Sequence, residues 1–381
     1  MASSLKLAEL WQRLGYKVVV VCMGSKEKRA KSPSTKLRTG KEQRATVEMV
    51  SSTLEIHRIP DWFFADPWNY GIAFGFSRYV CRLHKALQPD IVVVNKLLFW
   101  SSLSTIALRL RGIRVIQLTD ALVGMTWWPR GWIPQMCAAI YAWTFGWLEL
   151  LCASHVVFFH PQPETLLKRL HIAHKSEVIP TGVEVAKYGA HLTAKNQPFD
   201  KAQDRQSTAI TYVGRLESIK GVDDFLAAVV PLAEKNQNIK VQVVGWYKEG
   251  HPLVEQYRRS VHFAGLQSDI AGILSKADIF VLPSHSEGLS NALMEAMASG
   301  CACIASDVGG NRFLIQNGVS GFLFPAGDRE ALRSHIQRLI DDPMKRASMG
   351  KAARERIEKI CSWEIVGKQY DQLFIAFMSQ Q

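Results

Sequence analysis

Short runs of valine and isoleucine recur along the chain, each followed by a stretch long enough for a helix. Residues 18–22, 91–94, 114–118, 155–159 and 177–179 form a first series. Residues 210–213, 241–244, 261–263, 279–282 and 301–305 form a second. A strand with one wet face alternates apolar and polar side chains. These runs are continuously apolar, so both faces are expected to be covered. Helical stretches fall between them, for example 222–235 and 291–299. Buried strands alternating with helices predict parallel sheets, and the break between the two series predicts two doubly wound α/β domains. Ligands of such sheets bind at the carboxyl ends of the strands, so a two-domain version places its site in the cleft between domains.

The length of 381 residues suits two domains of ordinary size. A polar, aperiodic stretch at 191–207 reads as the linker between a first domain, 1–190, and a second, 208–362. A final helical stretch, 363–381, can pack back on the first domain. Residues 25–44 read as a long surface loop. The opening is unusual. A doubly wound domain starts with a strand, a glycine-rich turn and a helix, but residues 5–14 already read as that helix. The first strand and its turn are therefore expected to be missing, through a start codon assigned too late or through truncation.

Composition narrows the partners. The formal net charge is +12, which favours anionic ligands or an anionic membrane surface. The basic residues are dispersed, with small clusters at 26–31 and 109–114, and no nucleic-acid-binding signature accompanies them. Nucleic acid is thus not an expected partner. The cysteines at 22, 81, 137, 152, 301, 303 and 361 form neither a CxxC pair nor a zinc-spaced cluster, so no metal ligands are expected among them. Cys301 and Cys303 lie in an apolar run and read as core. The odd cysteine count and the lack of a cleavable apolar leader predict a reducing, cytoplasmic setting.

Two stretches carry chemistry. In the first, around 279–328, a buried strand ends at Pro283, a loop carries Glu287 and Gly288, and a helix starts near Ser290 or Asn291 and stops at Gly300. Amides at 288–291 would open a helix N-terminus at the sheet's carboxyl edge, which suits a phosphate. Glu287 in the loop and Glu295 one turn inside the helix could grip hydroxyls on two parts of one ligand. The bland alternative is a solvated helix face. In the second stretch, 212–225, a strand runs into Gly214, and Arg215 and Lys220 flank the next loop. Two cations beside a helix start can cradle a diphosphate and neutralise its charge as it leaves. Their bland alternative is surface pairing with Glu217 or Asp223.

These stretches resemble the donor half of family 4 glycosyltransferases, which have the GT-B fold of two Rossmann-like domains facing across a cleft. That family carries a glutamate, seven residues, then a glutamate, as Glu287 and Glu295 do. Its glycine–arginine–lysine loop is matched by Gly214, Arg215 and Lys220. Gly245, the HFAG run at 262–265, Pro283 with Ser284, Gly309 with Gly310, and Gly318 with Gly321 also fit, as does EVIPTGVE at 177–184. The likeness extends over about residues 154–374. It implies that Arg215 and Lys220 hold the donor diphosphate, Glu295 binds the ribose, and Glu287 faces the donor sugar. Gly288 and the amides of Leu289, Ser290 and Asn291 would complete the pocket. The family retains anomeric configuration and needs no metal, and this chain has no DxD motif. It departs from the family at Phe313, where an acidic residue is usual. It departs again at Asp120, where a histidine often follows the strand. Asp120 would take over a sugar contact, or merely cap a turn.

The resemblance thus implies a metal-independent, hexosyltransferase-type enzyme, without cofactor. It would move a sugar from a nucleotide diphosphate to a glycan or lipid-linked acceptor in cell-envelope polysaccharide or glycoconjugate synthesis. A nucleotide-sugar epimerase or phosphorylase of related fold, and a non-catalytic nucleotide-sugar binding protein, are the alternatives. An aromatic stretch runs from Trp127 to His160 and includes Trp128, Trp132, Tyr141, Trp143, Phe145 and Trp147. It has no charge over 131–148. It reads as a buried core helix, as a helix lying at the membrane interface, or as a span interrupted by Pro134 and Gln135. The interfacial reading would make the protein peripheral on the cytoplasmic face of the membrane.

Overall fold

A computed structural model describes residues 2–24, 45–64, 70–97, 100–120, 122, 124–126, 132–189 and 207–380. The linker at 191–206, the surface loop at 25–44 and Trp127 and Trp128 lie outside them. The chain divides into two compact units, Met1–Thr181 with Gly367–Gln381, and Gly182–Val366.

The first unit holds β1 (Val18–Gly24), β2 (Thr46–Ser51), β3 (Leu54–Pro60), β4 (Trp62–Phe64) and β5 (Tyr70–Ile72). It continues with β6 (Val93–Asn95), β7 (Ile116–Thr119), β8 (His155–Phe158) and β9 (Ser176–Val178). β6, β7, β8 and β9 form a parallel sheet in that order. β7 and most of β8 are buried, as continuous apolar runs require. β1 belongs to a separate sheet of order β1-β3-β2. Among the described residues no ladder joins β1 to β6. Asn95, at the end of β6, instead donates from Nδ2 to Ser4 Oγ at 2.9 Å, which sets the first turn of helix Ala2–Arg13 beside that strand.

The helix Ala2–Arg13 is held from its other side by the chain's last helix, Trp363–Met378. The ring of Trp11 meets Tyr370 and Phe374 edge-on, each with centroids 5.5 Å apart, and Tyr16 donates to Asp371 at 2.7 Å. Such aromatic pairs add about 0.5–1.5 kcal/mol each beyond their buried area. Residues from Gly367 onward therefore belong with the first unit.

The division falls at Thr181, earlier than the expected 190. The segment after it is tied to the second unit. Val183 bridges Ser362, and the Trp363 ring lies where any side chain on Gly182 would sit.

The second unit carries one six-stranded, all-parallel sheet: β10 (Thr208–Val213), β11 (Ile239–Val244), β12 (His262–Gly265), β13 (Ile279–Leu282), β14 (Ala302–Ser306) and β15 (Phe322–Phe324). Its order is β12-β11-β10-β13-β14-β15. β13 and β14 are buried at every position, including Cys303, with Cys301 buried just before them. The core is built from Ile210, Tyr212, Phe225, Val243, Val281 and Ile304 among others. The order reverses between β10 and β13, because the chain winds outward first to one side of β10 and then to the other. Neither neighbouring connection covers the crevice at the carboxyl ends of these two strands.

Candidate functional site

Both chemistry-bearing stretches emerge at that crevice. The loop after β10 carries Gly214, Arg215 and Lys220, and the loop after β13 carries Glu287 to Ser290. The backbone joins the two loops directly, since the His285 amide donates to the Ile219 carbonyl at 2.9 Å. Lys220 Nζ donates to Glu287 Oε1 at 2.8 Å, and buried Ser284 donates to the same oxygen at 2.7 Å. The side chains of Lys220 and Glu287 are 24% and 11% exposed. That burial separates this pair from an ordinary surface ion pair, because screening by water is reduced on both partners. Lys220 therefore pairs with Glu287, not with Asp223 as the bland reading had it.

Arg215 behaves differently. Its guanidinium pairs with Glu217 at 2.8 Å and is 60% exposed, which is the surface pairing the sequence allowed. Its backbone, however, is fixed from below. The hydroxyl of Tyr212, buried at the end of β10, donates to the Arg215 carbonyl at 3.0 Å and lies against Gly214. Burial, with Glu287 and Glu217 nearby, pushes the Tyr212 phenol far above its ordinary range, so it stays a donor. A guanidinium on an anchored backbone and an exposed tether can exchange Glu217 for an incoming phosphate at small cost.

The loop after β13 is shaped by Gly309 and Gly310, which follow β14. The Gly310 amide donates to the Gly288 carbonyl at 3.0 Å, and a Cβ on Gly309 would collide with the Glu287 carbonyl. The helix Asn291–Ala298 then starts with Ser290 as its N-cap, whose hydroxyl accepts from the Leu293 amide. Leu289 and Ser290 are buried and Asn291 is exposed. The first-turn amides of this helix have no partner within the helix, and its dipole favours an anion at that end.

Glu295 lies one turn further in. Tyr188, nearly buried in the short helix Val185–Gly189, donates its hydroxyl to the Glu295 carboxylate. Burial first, and Glu295 second, raise the Tyr188 phenol far above its ordinary value, so the donor is permanent at neutral pH. Tyr188→Phe would remove this donor from the carboxylate. If Glu295 grips a ribose, that variant should raise the donor KM several-fold and leave kcat close to wild type. An unchanged donor KM would mean that Tyr188 has no positioning role.

Beneath the loops, Asp224 is buried and meets Arg329 Nε at 2.7 Å and His285 Nε2 at 3.0 Å. This ties the helix Val222–Lys235 to the residue that follows Ser284. An open concavity of about 610 Å³, lined by Lys240, Tyr247, Arg258 and Phe263 among others, contains none of the site residues.

Gly214, Arg215, Lys220, Glu287, Gly288, Leu289, Ser290, Asn291 and Glu295 thus share the second unit. Asp120 belongs to the first. It follows β7 and sits beside His160, which follows the neighbouring β8. His160 is buried, which lowers its pKa. The Asp120 charge and the carbonyls of Pro161 and Asp120 oppose that shift. Gln162 reaches the same ring, accepts from Thr126, and Thr126 accepts from the Leu122 amide at 3.1 Å. Asp120 therefore stands beside His160 at a sheet's carboxyl edge. Tyr212, Tyr188 and His160 were given no role from the sequence, and Ser284 entered only as a family mark beside Pro283. A hydroxyl inside a buried apolar run was the available signal for Tyr212.

Among the described residues no helix is long and apolar enough to cross a membrane. The aromatic stretch forms a helix Trp132–Tyr141, a π-helical turn Ala142–Gly146 and a helix Trp147–Cys152. It is not a buried core helix, because Trp132, Ile140 and Phe145 are exposed.

Comparison with known proteins bears on both units. The family profile "Glycosyltransferase Family 4" matches residues 3–187, and "Glycosyl transferases group 1" matches residues 194–356. The chain is 29% identical over 207 residues to a glycogen synthase of Mycobacterium tuberculosis, covering 52% of this chain and 48% of that protein. It is 30% identical over 229 residues to the Escherichia coli UDP-Gal:alpha-D-GlcNAc-diphosphoundecaprenol alpha-1,3-galactosyltransferase, covering 57% of this chain and 59% of that one. The chain thus spans about half the length of the curated relatives it matches. Among solved structures, sucrose-phosphate synthase from Thermosynechococcus elongatus superposes with a TM-score of 0.69 at 22% identity, covering 99% of this chain and 92% of that one. That likeness shows a common fold, GT-B.

Proposed function

The chain belongs to glycosyltransferase family 4, and from that premise we propose that it moves a hexose-type sugar from a nucleotide diphosphate donor to a glycan or lipid-linked acceptor, with retention. The observation that carries this reading is the Lys220–Glu287 pair at the crevice between β10 and β13, beside the N-terminus of helix Asn291–Ala298. A cation, a carboxylate and helix amides at one sheet edge match a ligand that is diphosphate at one end and polyhydroxylated at the other. Lys220 and Arg215 take the diphosphate, assisted by the amides of Leu289, Ser290 and Asn291. Glu295 takes the ribose. Glu287 and Gly288 face the sugar.

In the transfer, the bond from the anomeric carbon to the diphosphate oxygen breaks and a bond to an acceptor hydroxyl forms. The acceptor proton ends on the leaving phosphate. Negative charge grows on the diphosphate as it departs, and Lys220 and Arg215 stabilise it without an added cation. The acceptor class draws on the E. coli relative, whose name gives a UDP-Gal donor and a lipid diphosphate acceptor, and on the glycogen synthase, whose name gives a glycan. Cell-envelope glycan synthesis at the cytoplasmic face is the setting we propose, on the lipid diphosphate acceptor in the E. coli relative's name.

The test is a panel of nucleotide sugars assayed with glycan and lipid-linked acceptors in EDTA, with product configuration read by NMR. One donor should give product of unchanged anomeric configuration at a rate insensitive to chelation. Sugar or sugar phosphate released equally with and without acceptor would overturn transfer. Activity lost to EDTA and restored by magnesium or manganese would overturn the metal-free reading.

A further inference from the structure

The helical segment from Trp132 to Cys152 is amphipathic in the reverse sense. Its inward side buries Glu149, whose carboxylate accepts from Tyr141 at 3.0 Å, together with Ala142, Gly146 and Leu150. Its outward side carries Trp132, 73% exposed, Ile140, 59% exposed, and Ile133, Met136, Trp143 and Trp147. Spacings of four residues place Trp132, Met136 and Ile140 in one row along the first helix, and Trp143 and Trp147 follow it through the π-helical turn. No charged residue interrupts the segment until Glu149. Contiguous exposed apolar surface of this kind marks a contact site.

Charge at its border points to the occupant. The helix Glu164–Arg169 ends beside the row with Lys168 and Arg169 in its last turn. The Arg169 guanidinium lies over the Trp143 ring, 4.9 Å from its centroid, and the Trp147 indole donates to the Leu170 carbonyl at 3.3 Å. Tryptophans level with cations, above an uncharged face, match the boundary between lipid headgroups and acyl chains. The chain's net charge of +12 adds long-range attraction to an anionic surface.

We propose that this face docks the first unit on a bilayer containing anionic lipid, lying in the plane of the interface with Lys168 and Arg169 at headgroup phosphates. This deepens the proposed function, on which it rests for its purpose: a lipid-linked acceptor is presented at such a surface, and the docked unit is the acceptor-side one.

The experiment is flotation of the full chain with vesicles of phosphatidylcholine alone or mixed with phosphatidylglycerol, neither containing acceptor or donor. Wild type should float with the mixed vesicles, float less with phosphatidylcholine alone, and be partly released by high salt. The double variant Trp132→Ser, Ile140→Ser should lower the bound fraction about ten-fold or more. Its positions are exposed, so its melting temperature and nucleotide affinity should match wild type. Arg169→Gln should weaken binding only to the mixed vesicles. Failure of wild type to float overturns the proposal. So does a wild-type dimer in solution that the double variant dissociates, which would assign the face to a second copy. Turnover on a short-chain, water-soluble acceptor is measured separately, so transfer and docking fail independently.

Discussion

Lys220→Ala is expected to lower kcat/KM by about 10²–10³-fold, the usual cost of removing one donor aimed at developing charge. The expectation has two sources. Lys220 would meet the diphosphate in the ground state, so the donor KM should rise. It would also meet the charge that grows on the leaving oxygen, so kcat should fall as well. The truncation further leaves the Glu287 carboxylate, 11% exposed, with Ser284 but without its cation. Lys220→Arg should recover part of both parameters, since the charge returns on a bulkier fork. Arg215→Ala should cost less, because its guanidinium is exposed and already shared with Glu217. Steady-state kinetics, with nucleoside diphosphate affinity by calorimetry, separates these terms. Wild-type kinetics in Lys220→Ala would remove Lys220 from the transfer step and leave its pair with Glu287 a structural contact.

The sheet that positions this lysine was legible because its strands are buried on both faces. β13 and β14 read as unbroken apolar runs, and their bounds moved by a residue at most. The hairpin of β2 and β3 was not read. It is antiparallel, Met49 and Val50 are exposed at an irregularity in its register, and its sequences TVEMVS and LEIHRIP mix charge into the pattern. β15 escaped because three residues are too few to show a period. At the site, local spacing paired Glu287 with Glu295 and Arg215 with Lys220, since each pair lies close in sequence, on one loop or on a loop and the helix it opens. The pairing of Lys220 with Glu287, and of Tyr188 with Glu295, joins separate elements, and nothing in local spacing encodes it. The aromatic helix shows the same limit. Its uncharged aromatic run was visible, but which side faces inward depends on Glu149 finding Tyr141.

Gly309→Ala tests whether the geometry of the β13 loop matters to turnover. Gly309 has φ 46°, in the left-handed region, where a side chain costs about 1–2 kcal/mol on its own. A Cβ there would also strike the Glu287 carbonyl, which is backbone and cannot swing aside. The loop must then move away from β14, and Glu287 and Gly288 move with it. A displacement of about 1 Å at a reacting centre costs about 10²-fold in rate. Gly309→Ala should therefore lose about two orders of magnitude in kcat while the second unit stays folded. Gly318→Ala supplies the control. Gly318 has φ 78° and open space around its Cβ, so the substitution bears the backbone cost alone. Both variants should show a lowered melting temperature, Gly309→Ala the more so because its Cβ also meets backbone, and only Gly309→Ala should lose turnover. Equal activities in the two would mean that strain at Gly309 acts through stability alone, and that Glu287 does not depend on the double glycine for its place.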